Sequence, residues 1–127
     1  MSMTKKILIV EDETMLIRIL VDKFTSEGFT VLTAENGSEG LAVALNSHPD
    51  LILLDIVMPV MDGLTMLGRL RKDSWGKGVK VILLTNLSDP GTVTDEIIKT
   101  VSGFIVKSDW RMEDLVKEVR NIFNTLI

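Results

Sequence analysis

The stretch that decides the fold is LILLDIVMPVMDG, residues 51–63. Four apolar residues lead directly into Asp55, which predicts that this carboxylate lies at the end of a strand buried on both faces. In open α/β sheets, ligands gather at the carboxyl ends of the strands. Asp55 is therefore a candidate functional residue, although an aspartate that only begins a turn would give the same local pattern.

Length, composition and charge narrow the class of protein. A chain of 127 residues fits one domain, residues 1–127, with its own core. Cysteine is absent, which excludes thiol catalysis, disulfides and cysteine-bound zinc and permits a cytoplasmic setting. The net charge of −4 argues against nonspecific nucleic-acid binding, and the apolar runs are too short to span a membrane. We therefore expect one cytoplasmic domain that binds neither nucleic acid nor membrane and carries no attached output domain.

Five apolar runs predict five strands, each followed by a helical pattern. The strands are expected at residues 6–10, 29–33, 51–54, 79–84 and 103–106. Asn36, with Glu39 three residues later, resembles a capping box, and Asp62 is placed to cap the third helix. The fourth helix is expected to be short, because Thr92, Val93 and Thr94 are poor helix formers. Five βα units of this kind predict a doubly wound parallel sheet with helices on both faces.

The helical patterns also predict which side chains face the core. The expected core positions are Leu16, Ile19, Leu20, Phe24, Leu41, Ala44, Leu45, Leu64, Leu67, Leu70, Met112, Leu115, Val116, Val119, Ile122, Phe123 and Leu126. His48 precedes Pro49 and is interpreted as a solvated turn residue rather than a metal ligand. Trp75 and Trp110 are expected to be partly exposed loop aromatics.

Chemically matched residues follow four of the predicted strands. Glu11 and Asp12 follow the first strand, Asp55 the third, Thr85 the fourth and Lys107 the fifth. Carboxylates that share one crevice either take up protons or bind a hard cation, and their oxygen atoms suit Mg²⁺. A hydroxyl and an ammonium group beside them would hold phosphoryl oxygens, and an aspartate can itself become an aspartyl phosphate. Each residue alone has a commonplace explanation, and the prediction depends on their coming together.

The same residues resemble the receiver domain of two-component response regulators over essentially the whole chain. The resemblance lies in Glu11-Asp12, the segment 55–63, Thr85 and Lys107, each after an apolar strand. It implies a flavodoxin-like fold with strand order 2-1-3-4-5. It also implies a phosphoacceptor that reacts with a sensor histidine kinase, a histidine phosphotransfer protein or a small phosphodonor, without turnover as an enzyme.

The resemblance assigns roles to individual residues. Asp55 would accept the phosphoryl group, and Mg²⁺ would be bound by Asp12, Asp55 and the backbone carbonyl of Val57, with Glu11 helping through water. Thr85 and Lys107 would hold the phosphoryl oxygens. Thr85 and Phe104 would form a switch that reshapes the face made by the fourth helix, the fifth strand and the fifth helix, where a downstream protein would bind.

Two departures from the family pattern carry expectations. Ser108 stands where the family usually has a proline in a cis bond, so the Lys107–Ser108 bond is either trans with an altered loop or strained. Val57 and Leu87 are apolar where the family often has polar residues that influence the attacking water. We therefore expect slow loss of the phosphoryl group.

Other classes of protein remain open from the sequence. The chain could be a receiver excised from a longer regulator, or a receiver-like binding module that works without phosphorylation. A haloacid dehalogenase-type phosphatase also uses aspartate, Mg²⁺, threonine and lysine, but it needs a second aspartate where Val57 stands. A flavodoxin-like mononucleotide binder needs a glycine-rich phosphate loop, which does not follow the first strand.

Overall fold

The computed structural model describes residues 4–86, 93–108 and 110–124, and five strands alternate with five helices along them. The strands are β1 (Lys6–Val10), β2 (Thr30–Ala34), β3 (Leu51–Asp55), β4 (Lys80–Thr85) and β5 (Gly103–Val106). The helices are α1 (Thr14–Ser26), α2 (Gly37–Ser47), α3 (Gly63–Lys72), α4 (Asp95–Ile98) and α5 (Met112–Asn124). The strands are all parallel, in the order β2-β1-β3-β4-β5. The predicted doubly wound, flavodoxin-like fold and its strand order are confirmed.

The sheet separates two apolar clusters, because alternate residues of each central strand point to opposite faces. Leu8, Val10, Ile52 and Leu54 face the cluster that α2 and α3 cover, and α4 packs against it through Ile97. The other cluster lies under α1 and α5. Its strand and helix members include Ile7, Ile9, Leu51, Leu53, Leu20, Phe24, Leu115 and Val119. Strands buried on both faces explain why β1, β3 and β4 are almost uninterrupted apolar runs.

Local sequence signals fix several helix starts as expected. The Asn36 side chain accepts a hydrogen bond from the backbone nitrogen of Glu39 at 2.9 Å and caps α2. Asp62 accepts one from the backbone nitrogen of Thr65 at 2.7 Å and caps α3. The fourth helix, α4, has only four residues, none of them fully buried. The residues expected to disfavour it include Thr92, which lies outside the described residues.

Two predictions of burial are wrong, and the structure adds detail to other predictions. Ile19 and Leu45 are expected in the core but are exposed, because each lies at the edge of its helical stripe. His48 is exposed in the turn that ends α2, as predicted, and its ring also stacks on Trp75 with centroids 4.2 Å apart. Among the described residues no peptide bond is cis, so the Lys107–Ser108 bond is trans. Leu126, the last expected core position, lies outside the described residues.

No helix in the described part of the chain combines the length and apolar character that crossing a bilayer requires.

Candidate functional site

The carboxyl ends of the parallel strands bring the predicted residues to one edge of the sheet. Strand β3 ends at Asp55, one residue beyond its predicted end at Leu54, and strand β4 ends at Thr85. Glu11 directly follows β1, and Lys107 directly follows β5. Because Asp55 is paired in register with Leu84, it lies beside the end of β4. The crevice predicted from the strand ends is therefore present.

Backbone contacts hold the strand ends in place. The Lys107 backbone nitrogen donates to the Thr85 carbonyl at 2.6 Å, which continues the β4–β5 ladder past β5. The Gly63 nitrogen, at the start of α3, donates to the Ile56 carbonyl at 2.9 Å. A Cβ atom at Gly63 would collide with the backbone carbonyl oxygen of Asp55, so only glycine permits this close approach. The start of α3 therefore sits directly on the backbone of the candidate phosphoacceptor.

Lys107 bridges two buried carboxylates. Its ammonium nitrogen lies 2.9 Å from Glu11 Oε2, 3.1 Å from Glu11 Oε1 and 3.2 Å from Asp55 Oδ1. Glu11 is 0% exposed and Asp55 is 3% exposed, so water screens these charges only weakly. The Glu11 backbone contributes to the arrangement, because its nitrogen donates to the Ala34 carbonyl at 3.0 Å. The geometry places a positive charge beside one carboxylate oxygen of Asp55, the candidate phosphoacceptor.

The pKa values of all three groups respond to this burial. Burial raises the pKa of Glu11 and of Asp55, and the Lys107 ammonium offsets only part of that shift in each. Burial alone would lower the pKa of Lys107, but its contacts with Glu11 and Asp55 outweigh burial and raise it. The site therefore keeps its ammonium firmly charged while it disfavours the negative charge on its carboxyls.

Three carboxylates at this edge are close enough to share a cation. One oxygen from each of Glu11, Asp12 and Asp55 lies within 4.8 Å of the others, and only Asp12 is exposed. Glu11 Oε2 is buried and lies 2.9 Å from the Lys107 ammonium nitrogen as an ion-pair partner, but it accepts no hydrogen bond from any described residue. Hard oxygen donors with a free lone pair fit Mg²⁺. Val57, the fourth expected ligand, follows β3 by two residues, and its side chain is 70% exposed.

The two predicted switch residues lie on neighbouring strands. Thr85 is 9% exposed at the end of β4, next to the carboxylates. Phe104 lies on β5, paired in register with Leu83, and is 37% exposed. Thr85 therefore ends its strand beside the Asp55 end of β3, while Phe104 lies farther back along β5 and is partly open to solvent. Leu87, expected to influence the attacking water, lies outside the described residues.

The sequence did not predict three features of this region. Gly63 has no predicted role beyond its place in the motif at residues 51–63. A glycine directly after a capping aspartate, eight residues after Asp55, is nevertheless a usable signal of a close backbone contact. Val60 has φ 68°, a conformation that is strained for a β-branched residue, in the loop between Asp55 and α3. Arg71 donates hydrogen bonds to the backbone carbonyls of Gly76, Val79 and Thr100. The sequence around Arg71 contains no signal that predicts these acceptors.

Comparison of the sequence with known proteins identifies relatives that are response regulators or transcriptional regulators. The sequence model of the response regulator receiver domain matches residues 7–120. Response regulator PleD of Caulobacter vibrioides is 37% identical over 105 residues, which are 83% of this chain and 23% of PleD. The probable transcriptional regulator ycf27 of Pyropia yezoensis is 43% identical over 121 residues, or 93% of this chain and 47% of that protein. The chain thus spans less than half the length of either relative.

Solved structures agree with the sequence relatives. A chain in the CheX–CheY–BeF₃–Mg²⁺ complex from Borrelia burgdorferi has a TM-score of 0.82 and 34% sequence identity to this one. The match covers 94% of this chain and 89% of that chain.

Proposed function

Because this chain belongs to the response regulator receiver domain family of two-component systems, we propose that Asp55 accepts a phosphoryl group from a phosphohistidine. Receiver domains act as signalling modules rather than as turnover enzymes. The phosphohistidine would lie on a sensor histidine kinase or a histidine phosphotransfer protein, and a small phosphodonor would be an alternative source of the phosphoryl group. Residues 1–127 would form one receiver domain that works in the cytoplasm, a setting that the absence of cysteine permits.

One observation carries this proposal. The Lys107 ammonium lies 3.2 Å from Asp55 Oδ1, in a crevice that also holds Glu11 and Asp12. A preorganised positive charge at this position would stabilise negative charge on transferring phosphoryl oxygens. A structural ion pair alone would not require two further carboxylates beside it. The combination is what phosphoryl transfer to a carboxylate needs.

Phosphoryl transfer to Asp55 would use the side chains that line the crevice. An Asp55 carboxylate oxygen attacks phosphorus, the phosphorus–nitrogen bond to the donor imidazole breaks, and the imidazole leaves with the electron pair and a proton from solvent. Lys107 and Thr85 hold the phosphoryl oxygens through their ammonium and hydroxyl groups. Glu11, Asp12, Asp55 and the Val57 carbonyl would hold Mg²⁺, with Glu11 acting through water. When bound, Mg²⁺ would neutralise phosphoryl charge.

The output would follow from the position of Thr85. Once its hydroxyl binds a phosphoryl oxygen, space opens beside β4, and the partly exposed Phe104 ring would turn into that space. The α4–β5–α5 face would change shape and a downstream protein would bind there. The Borrelia relative is a complex of CheX, CheY, BeF₃ and Mg²⁺, which supports both a phosphoryl-like ligand and a protein partner.

Intact mass spectrometry after incubation with Mg²⁺ and acetyl phosphate tests the proposal. The parent should gain one phosphoryl group that hydroxylamine removes, and Asp55→Asn should gain none. If the parent gains none and also binds no beryllofluoride, the phosphoacceptor proposal is wrong and a phosphorylation-independent binding module becomes the better description. Turnover of phosphate monoesters would instead favour the phosphatase class.

The exposed Val57 side chain carries a second expectation about this site. It offers no polar group to orient the water that hydrolyses the aspartyl phosphate, so the phosphoryl group should be lost slowly. Val57→Asn should shorten the half-life of the phosphorylated protein, measured by the decay of the mass adduct after the donor is removed. An unchanged half-life would show that this position does not limit hydrolysis.

A further inference from the structure

Arg71 joins two parts of the molecule that are distant in sequence. It lies in the last turn of α3, and its Nη1 donates to the backbone carbonyls of Gly76 at 2.8 Å and Val79 at 2.7 Å. Its Nη2 donates to the carbonyl of Thr100, just beyond α4. One guanidinium thus binds both the loop before β4 and the segment before β5.

The segment that receives this contact also packs on the core through Val101, a partly buried side chain. We call residues 99–102 the α4–β5 junction. No residue of α4 is fully buried, and the helix packs on the core through partly buried apolar side chains such as Ile97. Beyond it, the Ser102 nitrogen donates to the Val81 carbonyl at 2.8 Å. Between these two points, Arg71 supplies the hydrogen bond from the protein body to the junction carbonyl of Thr100.

The guanidinium is suited to holding a backbone segment. Arg71 is partly buried, and its Nε is buried without a hydrogen-bond partner among the described residues. The two terminal nitrogens of the guanidinium therefore donate to backbone carbonyls, while the Nε–H group stays without an acceptor among the described residues. Hydrogen bonds from a charged donor are worth more than neutral ones, and the planar fork of arginine can serve several acceptors at once. Lysine could not reproduce this arrangement.

The other end of α3 contacts the phosphoacceptor. Gly63 packs against the backbone carbonyl of Asp55 so closely that a Cβ would collide with it, and its nitrogen binds the Ile56 carbonyl at 2.9 Å. A helix of ten residues is about 15 Å long and transmits a shift as a rigid element. A displacement at residues 55–56 would therefore reach Arg71 through α3.

We propose that Arg71 is a positioning residue that fastens the α4–β5 junction to α3 and so couples the junction to the backbone of Asp55. This route differs from the Thr85–Phe104 switch, because it runs through α3 and the Arg71 guanidinium rather than through the ends of β4 and β5. The fastening stands on the contacts alone. The coupling rests on the proposed phosphoacceptor function of Asp55.

Hydrogen exchange with and without Mg²⁺ and beryllofluoride tests both parts in the full chain. The variants are Arg71→Gln, which loses the charged fork, and Arg71→Lys, which keeps the charge. Arg69→Gln is the matched control, because Arg69 is an exposed arginine in the same turn of α3. The informative amides are those of Thr100, Val101 and Ser102, each hydrogen-bonded in the structure. The β1 amides report whether each variant is globally folded.

Without ligand, Arg71→Gln should speed exchange at the junction by about tenfold or more, since loss of one charge-assisted hydrogen bond shifts an opening equilibrium by at least that factor. Arg71→Lys should lie between Arg71→Gln and the parent, and Arg69→Gln should match the parent. In the parent, beryllofluoride should change junction exchange. In Arg71→Gln that change should fall to a third or less at saturating ligand.

Each contrary result has a distinct meaning. Junction exchange in Arg71→Gln equal to that in Arg69→Gln would overturn the fastening role. Faster junction exchange with an undiminished response to beryllofluoride would show a purely structural contact and overturn the coupling. Failure of the parent to bind beryllofluoride would refute the proposed function and the coupling together, while the ligand-free exchange would still decide the fastening.

Discussion

The Lys107→Met substitution examines the charge balance on which the site depends. In the parent, one ammonium faces Glu11, which is 0% exposed, and Asp55, which is 3% exposed. Methionine keeps much of the length of the lysine stem but removes the charge. Both carboxyls would then be buried without a positive partner. We expect a less stable protein whose deficit depends on pH.

The size of the effect follows from burial and from proton linkage. Removal of one partner from a buried ion pair costs about 3–5 kcal/mol, and the 16% exposure of the Lys107 side chain lowers our expectation to about 2–3 kcal/mol near pH 8. Without the ammonium, the pKa values of Glu11 and Asp55 rise further above their ordinary values. The folded variant then binds more protons than the unfolded chain. Its stability should fall as pH rises, by up to about 1.4 kcal/mol per pH unit for each excess proton.

Urea unfolding without Mg²⁺, at several pH values between about 5 and 8.5, measures both quantities. Lys117→Met is the control, because Lys117 is an exposed lysine on α5 far along the chain from the site. The deficit of Lys107→Met should be small near pH 5, where the carboxyls take up protons, and should grow toward pH 8.5. A deficit below about 0.5 kcal/mol at every pH, or a pH slope equal to that of the control, would refute the reasoning.

Four further measurements probe other contacts of the site. Asp55→Asn should raise stability near pH 8 by about 0.5–2 kcal/mol, because burial raises the Asp55 pKa and the folded parent loses stability as pH rises through it; no gain near pH 8 would contradict this. Mg²⁺ at a hundred times its Kd should stabilise the parent by about 2.7 kcal/mol in urea unfolding, and Asp12→Asn should remove most of that gain. Gly63→Ala should cost about 1–3 kcal/mol through its collision with the Asp55 carbonyl, whereas Gly68→Ala, which meets nothing within 4 Å, should gain about 0.5–1 kcal/mol. Val60→Gly should gain about 1 kcal/mol by relieving the positive φ, and a loss of melting temperature would contradict the strain.

Features set by neighbouring residues could be predicted from the sequence. The apolar run before Asp55 identifies a strand buried on both faces, and Asp62 caps α3 by accepting a hydrogen bond from the backbone nitrogen of Thr65, only three residues later. Because parallel strands end at one edge, a correct strand assignment was sufficient to bring Asp55 and Lys107 together. The ion pair between them follows from that placement and from opposite charge.

Features set by distant neighbours could not be predicted. The exposure of Ile19 depends on which distant residues pack over α1, and the period of a single helix does not contain that information. The contact of Arg71 with Thr100 joins residues 29 positions apart through a backbone carbonyl, and every residue carries such a group. A charged side chain at the end of a helix is usually solvated, so the sequence alone favours the wrong environment for Arg71.

The crevice holds buried negative charge that lowers the stability of the folded protein but favours the binding of a cation. Glu11 and Asp55 share the Lys107 ammonium, with the Asp12 carboxylate close to both of them, and burial raises the pKa of Glu11 and of Asp55. A ligand shifts a conformational equilibrium only by the difference in its affinity for the two states. Excess negative charge held in a folded crevice gives Mg²⁺ such a difference, because the unfolded chain does not gather these groups. Substitutions that neutralise Glu11 or Asp55 should therefore stabilise the protein and weaken its response to Mg²⁺ together, since one unfavourable interaction underlies both.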